Sequence, residues 1–352
     1  MRTVESFEDY VDPIQEAIDA LLLPTLFGQT EPLPSDLRQL ASLTPAQGGL
    51  GVPDLWFEAP QQFAASTLIT LPHVDSITTQ SMFMVAGANS TEELKRQHQA
   101  LKTASVKSRL EIVTDVLCNR ALLRSVNHSR DKGASSWLTA VPLVDQGLVL
   151  IKQEFRDSLR LRYNMPLSDL PSKCVCAEKY TVYHALSCKK GGFAAQRHDG
   201  VRNLLILLIG KVCTNVEVEP QLQPLDNERF NLRTAVTSPE ARLDFKAGGF
   251  WSRGVTAFFD VTVTHVNSKC NQGKETSTIF KEQEDEKKRK YQQRVLDVEM
   301  GSFTSLIFGT NGGMGADCNW FLKRLAEKLS EKNEERYHIT IIWIRTLLSF
   351  EI

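Results

Sequence analysis

The chain has 352 residues, 42% of them hydrophobic and 24% charged, with a formal net charge of -1. That balance excludes a disordered polymer and a uniformly basic nucleic-acid coat, so any charge that meets a nucleic acid must be local. Seven cysteines, an odd number with three grouped beside a histidine, argue against a secreted disulfide framework and for a reducing compartment.

Residues 1–10 are acidic and lack an apolar h-region, which predicts no signal peptide. Residues 1–165 read as mostly helical. Apolar residues recur at helical spacing over 11–27, and Gly28 with Pro32 and Pro34 ends that helix. Residues 47–53, rich in glycine and closed by Pro53, form a turn-rich connector. Ser90 followed by Glu93 predicts a capping box at a helix start. Helical pattern then runs over 92–123, with a further helix over 145–163. Asp9, Asp12 and Asp19 read as a solvated helix face. His73, His98 and His128 lack clustered partners and read as surface or core histidines.

The polar, proline-bounded segment 166–171 predicts a domain boundary. Directly after it come Cys174, Cys176, His184 and Cys188. Thiolates and a neutral imidazole are good tetrahedral Zn2+ ligands. A knuckle of about fifteen residues cannot bury a core, so it would need the metal to hold its shape. Cys-x-Cys is tighter than the common Cys-x2-Cys. The alternative is buried free cysteines beside a core histidine, and four candidate ligands in so short a stretch weigh against it. Cys118, Cys213, Cys270 and Cys318 are isolated and read as ordinary buried thiols.

Beyond the knuckle the pattern changes. Residues 195–213 read as a helix with an apolar stripe, and 216–219 as a short strand. Residues 241–247 and 257–265 read as half-buried strands joined by a glycine-rich hairpin. Residues 274–300 form a long charged helix, 303–310 a strand and 314–332 a helix. The longest apolar runs, 204–209 and 339–344, are too short to span a bilayer and read as buried core.

Asp244 and Asp260 fall on adjacent predicted strands, about 4.8 Å apart. On one face at matched register they would share a Mg2+, which positions and deprotonates water and neutralises phosphate charge. Aspartate is disfavoured inside strands, and a buried carboxylate needs a partner. The competing reading is two aspartates placed by chance. Position 262 is a threonine, and a lysine on the following helix could supply positive charge beside the acids. Lys287 and Lys290 are the candidates, with Tyr291 near enough to orient water or touch phosphate, and a solvated helix face is the alternative for either lysine. Arg197, His198 and Arg202 open the helix after the knuckle and are candidates to grip phosphate; a plain surface is equally consistent. Glu219 is a possible third acid or a solvated strand end. Residues 309–315 read as a strand-to-helix turn rather than a phosphate loop.

Taken as an ordered set, these residues resemble the C-terminal region of non-LTR retrotransposon polyproteins that carry a restriction-endonuclease-like domain. Cys174, Cys176, His184 and Cys188 match the CCHC knuckle. Arg197, His198 and Asp199 match an Arg-His-Asn/Asp element. Arg242, Leu243 and Asp244 match an Arg-Pro-Asp segment, with Leu243 where proline is usual. Asp260 matches the second acid, and Lys287 with Lys290 and Tyr291 the last element.

The resemblance implies an α+β chain in three parts: a helical post-polymerase domain over 1–165, the knuckle over 166–192, and a PD-(D/E)XK nuclease core over 193–352. The element order helix, strand, strand, strand, helix, strand is the core order of such nucleases. The resemblance further implies structural Zn2+, catalytic Mg2+, a nuclear location and DNA as partner, with element RNA as a second candidate and no membrane. Asp244, Asp260, Lys287, Lys290 and Tyr291 would be catalytic. Arg197, His198, Arg202 and Arg242 would bind nucleic acid. The implied activity is nicking of chromosomal DNA so that reverse transcription starts from the exposed 3′ end. No Tyr/Phe-x-Asp-Asp segment is present, so this chain alone is not expected to polymerise. The competing readings are a non-catalytic nucleic-acid-binding module and an inactive relic of such an element.

Overall fold

The structure, a computed structural model, describes residues 8–80, 87–117, 119–223 and 242–352. It is α+β, with a small mixed sheet. The chain divides into two compact units, Met1–Asn127 with Leu150–Pro166, and His128–Val149 with Leu167–Ile352. Among the described residues no helix is long and apolar enough to cross a membrane.

The first unit is helical. Helices α1 (Glu8–Ala17) and α2 (Leu23–Phe27) are joined by one π-helical stretch, Ile18–Leu22. The expected single helix is therefore interrupted, just before Pro24, which has no amide to donate to a regular helix. Gly28 ends it at φ 66°, in the left-handed region that favours glycine. Next come α3 (Ser35–Ser42), α4 (Leu55–Thr78), α5 (Gly87–Val116), α6 (Arg120–Ser129) and α7 (Lys152–Arg162). Asp54 caps α4 by accepting from Phe57 N at 3.3 Å, and Arg109 holds Asp54 at 2.9 Å while its guanidinium sits 4.2 Å over the Phe57 ring. The connector after α3 needs its glycines: a Cβ on Gly49 would lie 2.0 Å from the Leu43 carbonyl oxygen. Tyr163 closes over this turn, its hydroxyl donating to Gly48 O at 3.0 Å.

Several sequence expectations shift here. Ser90 lies inside α5 rather than at its start. The helix expected from 145 begins at Lys152, because Gly147 at φ 69° ends a short 3-10 turn first. Asp19 pairs with Arg38, and Asp12 accepts from Trp56 Nε1 at 2.8 Å, so neither is simply solvated. Cys213 is half-buried and Cys270 exposed, whereas Cys318 is buried as expected. Cys118, and the side chains of Asp9, His73 and His98, lie outside the described residues.

In the second unit, α8 (Val182–Ser187) belongs to the knuckle and α9 (Phe193–Gly210) follows it. Then come β1 (Thr214–Val218), β2 (Phe245–Gly248), β3 (Thr256–Thr264), α10 (Thr276–Asp297), β4 (Ser302–Gly309), α11 (Ala316–Asn333) and α12 (Tyr337–Glu351). The sheet order is β1-β2-β3-β4, with β1, β2 and β3 antiparallel and β3 parallel to β4. A parallel pair needs a crossover, and α10 provides it.

Alternation along β3 sorts its two faces. Ala257, Phe259 and Val261 join Leu205, Phe321 and Ile344 in the main core, under α9, α11 and α12. Phe258 points the other way, into a smaller cluster with Leu222, Leu243, Tyr291 and Val295 under α10. Asp260 shares that second face. Residues 339–344 are not a wholly buried run: Ile341 and Ile344 are buried, whereas Ile339 and Ile342 on the same helix are more than half exposed.

Candidate functional site

The knuckle is built from two small pieces. A tight turn carries the first cysteines, with Cys174 N donating to Glu178 O at 2.9 Å and Ala177 N donating to Cys174 O at 2.8 Å. Helix α8 carries His184, and Cys188 is the residue that ends it; the helix start is capped by Thr181, whose hydroxyl accepts from His184 N at 3.1 Å. The four donor atoms all lie within 4.8 Å of one another. The sulfurs of Cys174 and Cys188 are 3.8 Å apart, and Cys176 Sγ is 3.2 Å from His184 Nε2. Two thiolates about 2.3 Å from one zinc at a tetrahedral angle stand about 3.8 Å apart, so the sulfur pair fits. It is too wide for a disulfide. Backbone amides of Lys190 and Gly191 also hydrogen-bond Cys188. This group can hold a metal such as zinc.

A second group gathers where β1, β2 and β3 meet the second and third turns of α9. The pairing of β2 with β3 ends at Phe245 and Phe259; beyond it Asp244 N donates to Phe259 O at 3.1 Å, and the Asp244 charge is near enough to act on Asp260. Asp244 itself lies just before β2, in a bend. Its Oδ2 accepts from Val261 N at 2.6 Å, and its Oδ1 is 3.3 Å from His198 Nε2. His198 Nε2 is also 3.2 Å from Val261 O, and its Nδ1 is 3.2 Å from Asp199 Oδ1. The hydrogen bond to Asp244, with the charges of Asp244 and Asp199, outweighs burial and pushes the His198 imidazole up to about 9. It is therefore an imidazolium at neutral pH, with both ring nitrogens donating. His198, expected to grip phosphate, is turned inward between two carboxylates. Arg197 is similarly engaged, its Nη2 donating to Leu186 O at 3.1 Å at the end of α8.

Asp260 is buried, and Lys287 on α10 reaches it with Nζ 2.8 Å from Oδ2. Thr262 Oγ1 lies 3.4 Å from the same oxygen. Burial pushes the Asp260 carboxyl up; Lys287 opposes this without cancelling it, and the charge of Asp244 adds to it. Each acid thus has one cation, Lys287 for Asp260 and the His198 imidazolium for Asp244. Lys287 is thus the lysine of the two that meets an acid. Lys290 is exposed, its Nζ 5.1 Å from the Tyr291 ring centre. The Tyr291 ring is buried in the cluster under α10.

Glu219 does not stand free as a third acid. Its Oε1 is 3.1 Å from Arg202 Nη1 and its Oε2 is 3.0 Å from Arg242 Nη1. Arg202 also meets Asp199 at 3.2 Å. The loop over 309–315 is tied down as a turn: Asn311 Nδ2 donates to Asp131 Oδ2 and to His128 O, both at 2.8 Å. At the start of α11, Asp317 N donates to Glu284 Oε1 at 3.0 Å, so an internal carboxylate already serves that helix end.

No protein-family model and no curated protein matches this chain. The sequence had pointed to Asp244 and Asp260 as a pair, with Lys287 or Lys290 as their lysine. The chain of contacts Asp199–His198–Asp244 and the double engagement of Glu219 were not legible. One signal was present: His198 and Arg202, four residues apart, share a helix face.

Proposed function

We propose that the second unit is a metal-dependent DNA endonuclease of the restriction-endonuclease-like type, similar to the nicking domain of non-LTR retrotransposons. The observation that carries this reading is the buried Asp260 on β3 with Lys287 of α10 at 2.8 Å, and the Asp244 carboxylate near enough for its charge to act on Asp260. The element order α9-β1-β2-β3-α10-β4 supports it, being the order the resemblance implies.

In this reading Asp244 and Asp260 hold Mg2+, which when bound activates water and neutralises charge on the phosphate. Val261 N and His198 fix the Asp244 carboxylate before substrate arrives. Lys287 holds positive charge beside Asp260 and is placed to offset charge on the scissile phosphate. Zn2+ on Cys174, Cys176, His184 and Cys188 would have a structural role, holding α8 and the preceding turn together ahead of α9. DNA is the partner, element RNA a second one, and the nucleus the compartment in which such chemistry would act.

The test is Mg2+- or Mn2+-dependent nicking of supercoiled plasmid by the purified chain. Asp260→Ala should abolish nicking and spare DNA binding, because backbone contacts by arginine and lysine are separate from the metal. One observation favours a second reading, a nucleic-acid-binding module without chemistry: Thr262 occupies the strand position where the nuclease pattern has lysine. DNA binding without nicking by wild type would select that module. Neither binding nor nicking would leave an inactive relic.

A further inference from the structure

We infer that Arg202 and Arg242 form a seat for one phosphodiester group of bound DNA, which the Glu219 carboxylate fills until DNA displaces it. This rests on the DNA-binding part of the proposed function and adds a site and a gate to it.

The geometry is specific. One guanidinium comes from α9 and the other from Arg242, three residues before β2 and bridged to Gln221, and each takes a different oxygen of one carboxylate, at 3.1 Å and 3.0 Å. Carboxylate and phosphate present the same pair of acceptor oxygens to arginine, so a cradle that fits one fits the other. The Arg242 side chain is 53% exposed and that of Glu219 38%, so the seat opens to solvent and to a large polyanion. The Arg242–Glu219 pair, exposed to this degree, is weak enough to exchange, whereas the Arg202 side chain is 14% exposed and stays anchored by Asp199 at 3.2 Å.

The carboxylate is also held in place by the backbone. Glu219 adopts φ 50°, in the left-handed region that a non-glycine residue enters at a cost. Its amide donates to Asp244 O at 2.8 Å, and Pro220 follows it. The seat is therefore fixed one backbone hydrogen bond from the first candidate acid. A strand whose phosphate took the place of Glu219 would be registered against Asp244. Without DNA, the internal carboxylate keeps the two guanidiniums paired and apart from stray anions.

The experiment measures binding of a short labelled DNA duplex in EDTA across a salt series, using the full chain. Glu219→Gln should bind about fivefold tighter at fixed salt, with the slope of log affinity against log salt steeper by about 1. The gain should vanish in Glu219→Gln/Arg242→Gln. Arg242→Gln alone, at an exposed side chain, should bind more weakly with a shallower slope. Unchanged or weaker binding by Glu219→Gln, a gain that survives in the double variant, wild-type affinity in Arg242→Gln, or no DNA binding by any of these proteins would overturn the seat. Nicking in Mg2+, measured separately, reads the nuclease proposal: tighter binding by Glu219→Gln with no nicking keeps the seat and removes the nuclease.

Discussion

Lys287 on α10 stands 2.8 Å from Asp260 on β3, and so brings from a helix the positive charge that Thr262 does not bring from the strand. Asp260 is buried, so removing the lysine leaves a carboxylate desolvated without its cation. Lys287→Met should cost about 3 kcal/mol of stability in urea unfolding. Adding Asp260→Asn should recover most of that loss, because the unpaired charge is then gone. A double variant that loses the sum of the two single losses would show that the pair is not coupled.

The same contact separates the two lysines named as candidates. Lys287→Ala should lower plasmid nicking by about two orders of magnitude or more, the scale of removing one stabiliser of transition-state charge. Lys290→Ala should stay within a few-fold of wild type, since Lys290 is exposed and rests over Tyr291. The reverse ranking would move the active lysine one helical turn along α10.

His198 supports Asp244 from behind, with its other nitrogen on Asp199. This is the arrangement by which an outer residue orients a ligand, and losing such a partner costs about 10- to 100-fold in activity or metal affinity. His198→Ala should therefore weaken Mn2+ binding and nicking while leaving DNA affinity in EDTA unchanged. A loss of DNA affinity instead would return His198 to the phosphate-gripping role that its position in the sequence suggested.

The difference between those two roles for His198 marks where the sequence stops being legible. Residue type and strand alternation were enough to place Asp260 in a buried strand position and to single out the knuckle's four side chains, whereas Asp244, read as a strand residue, lies in a bend just before β2. The direction in which His198 points depends on Val261 and Asp244, far away in the chain, and no local pattern encodes it. Glu219 is similar: its left-handed backbone and its two arginines come from three separate segments. Residues 128–149 give the same lesson for the fold. They lie in the helical half of the sequence, yet they belong to the second compact unit, where Asp131 accepts from Thr276 Oγ1 and Asn311 Nδ2, both at 2.8 Å. Helix α12 was visible only as an apolar run, since a run of isoleucines does not say which of them a neighbouring helix will cover.

The knuckle can be tested without any activity. Purified protein should carry one zinc per chain, and replacement by Co2+ should give the thiolate charge-transfer and intense d–d bands of a tetrahedral sulfur-rich site. Cys188→Ser should weaken metal retention and raise amide exchange in α8 and the turn before it, with protection in the first unit unchanged. A protein that retains no zinc after expression in zinc-supplemented medium would remove the metal and leave four packed side chains.

His265 gives a prediction for pH. It is buried, with Nδ1 3.2 Å from Thr310 Oγ1 and its ring 5.7 Å from that of Tyr183. Burial, with the nearby cation of Arg197, lowers its imidazole from 6.5 to about 4. The folded protein therefore keeps His265 neutral, whereas the unfolded chain takes up a proton below about pH 6.5. Where the unfolded state binds more protons, stability rises with pH. The contribution of His265 is thus fully present above about pH 6.5 and is lost as pH falls through the window down to about 4, a total of about 3 kcal/mol at 1.36 kcal/mol per unit. Acid would also weaken any metal bound at the knuckle, so the informative quantity is the difference between wild type and His265→Gln, measured by urea unfolding at matched zinc. Wild type should lose about 3 kcal/mol more than the variant across that window. Parallel curves would mean that His265 charges as freely in the fold as in the unfolded chain, and that its burial does not exclude the proton.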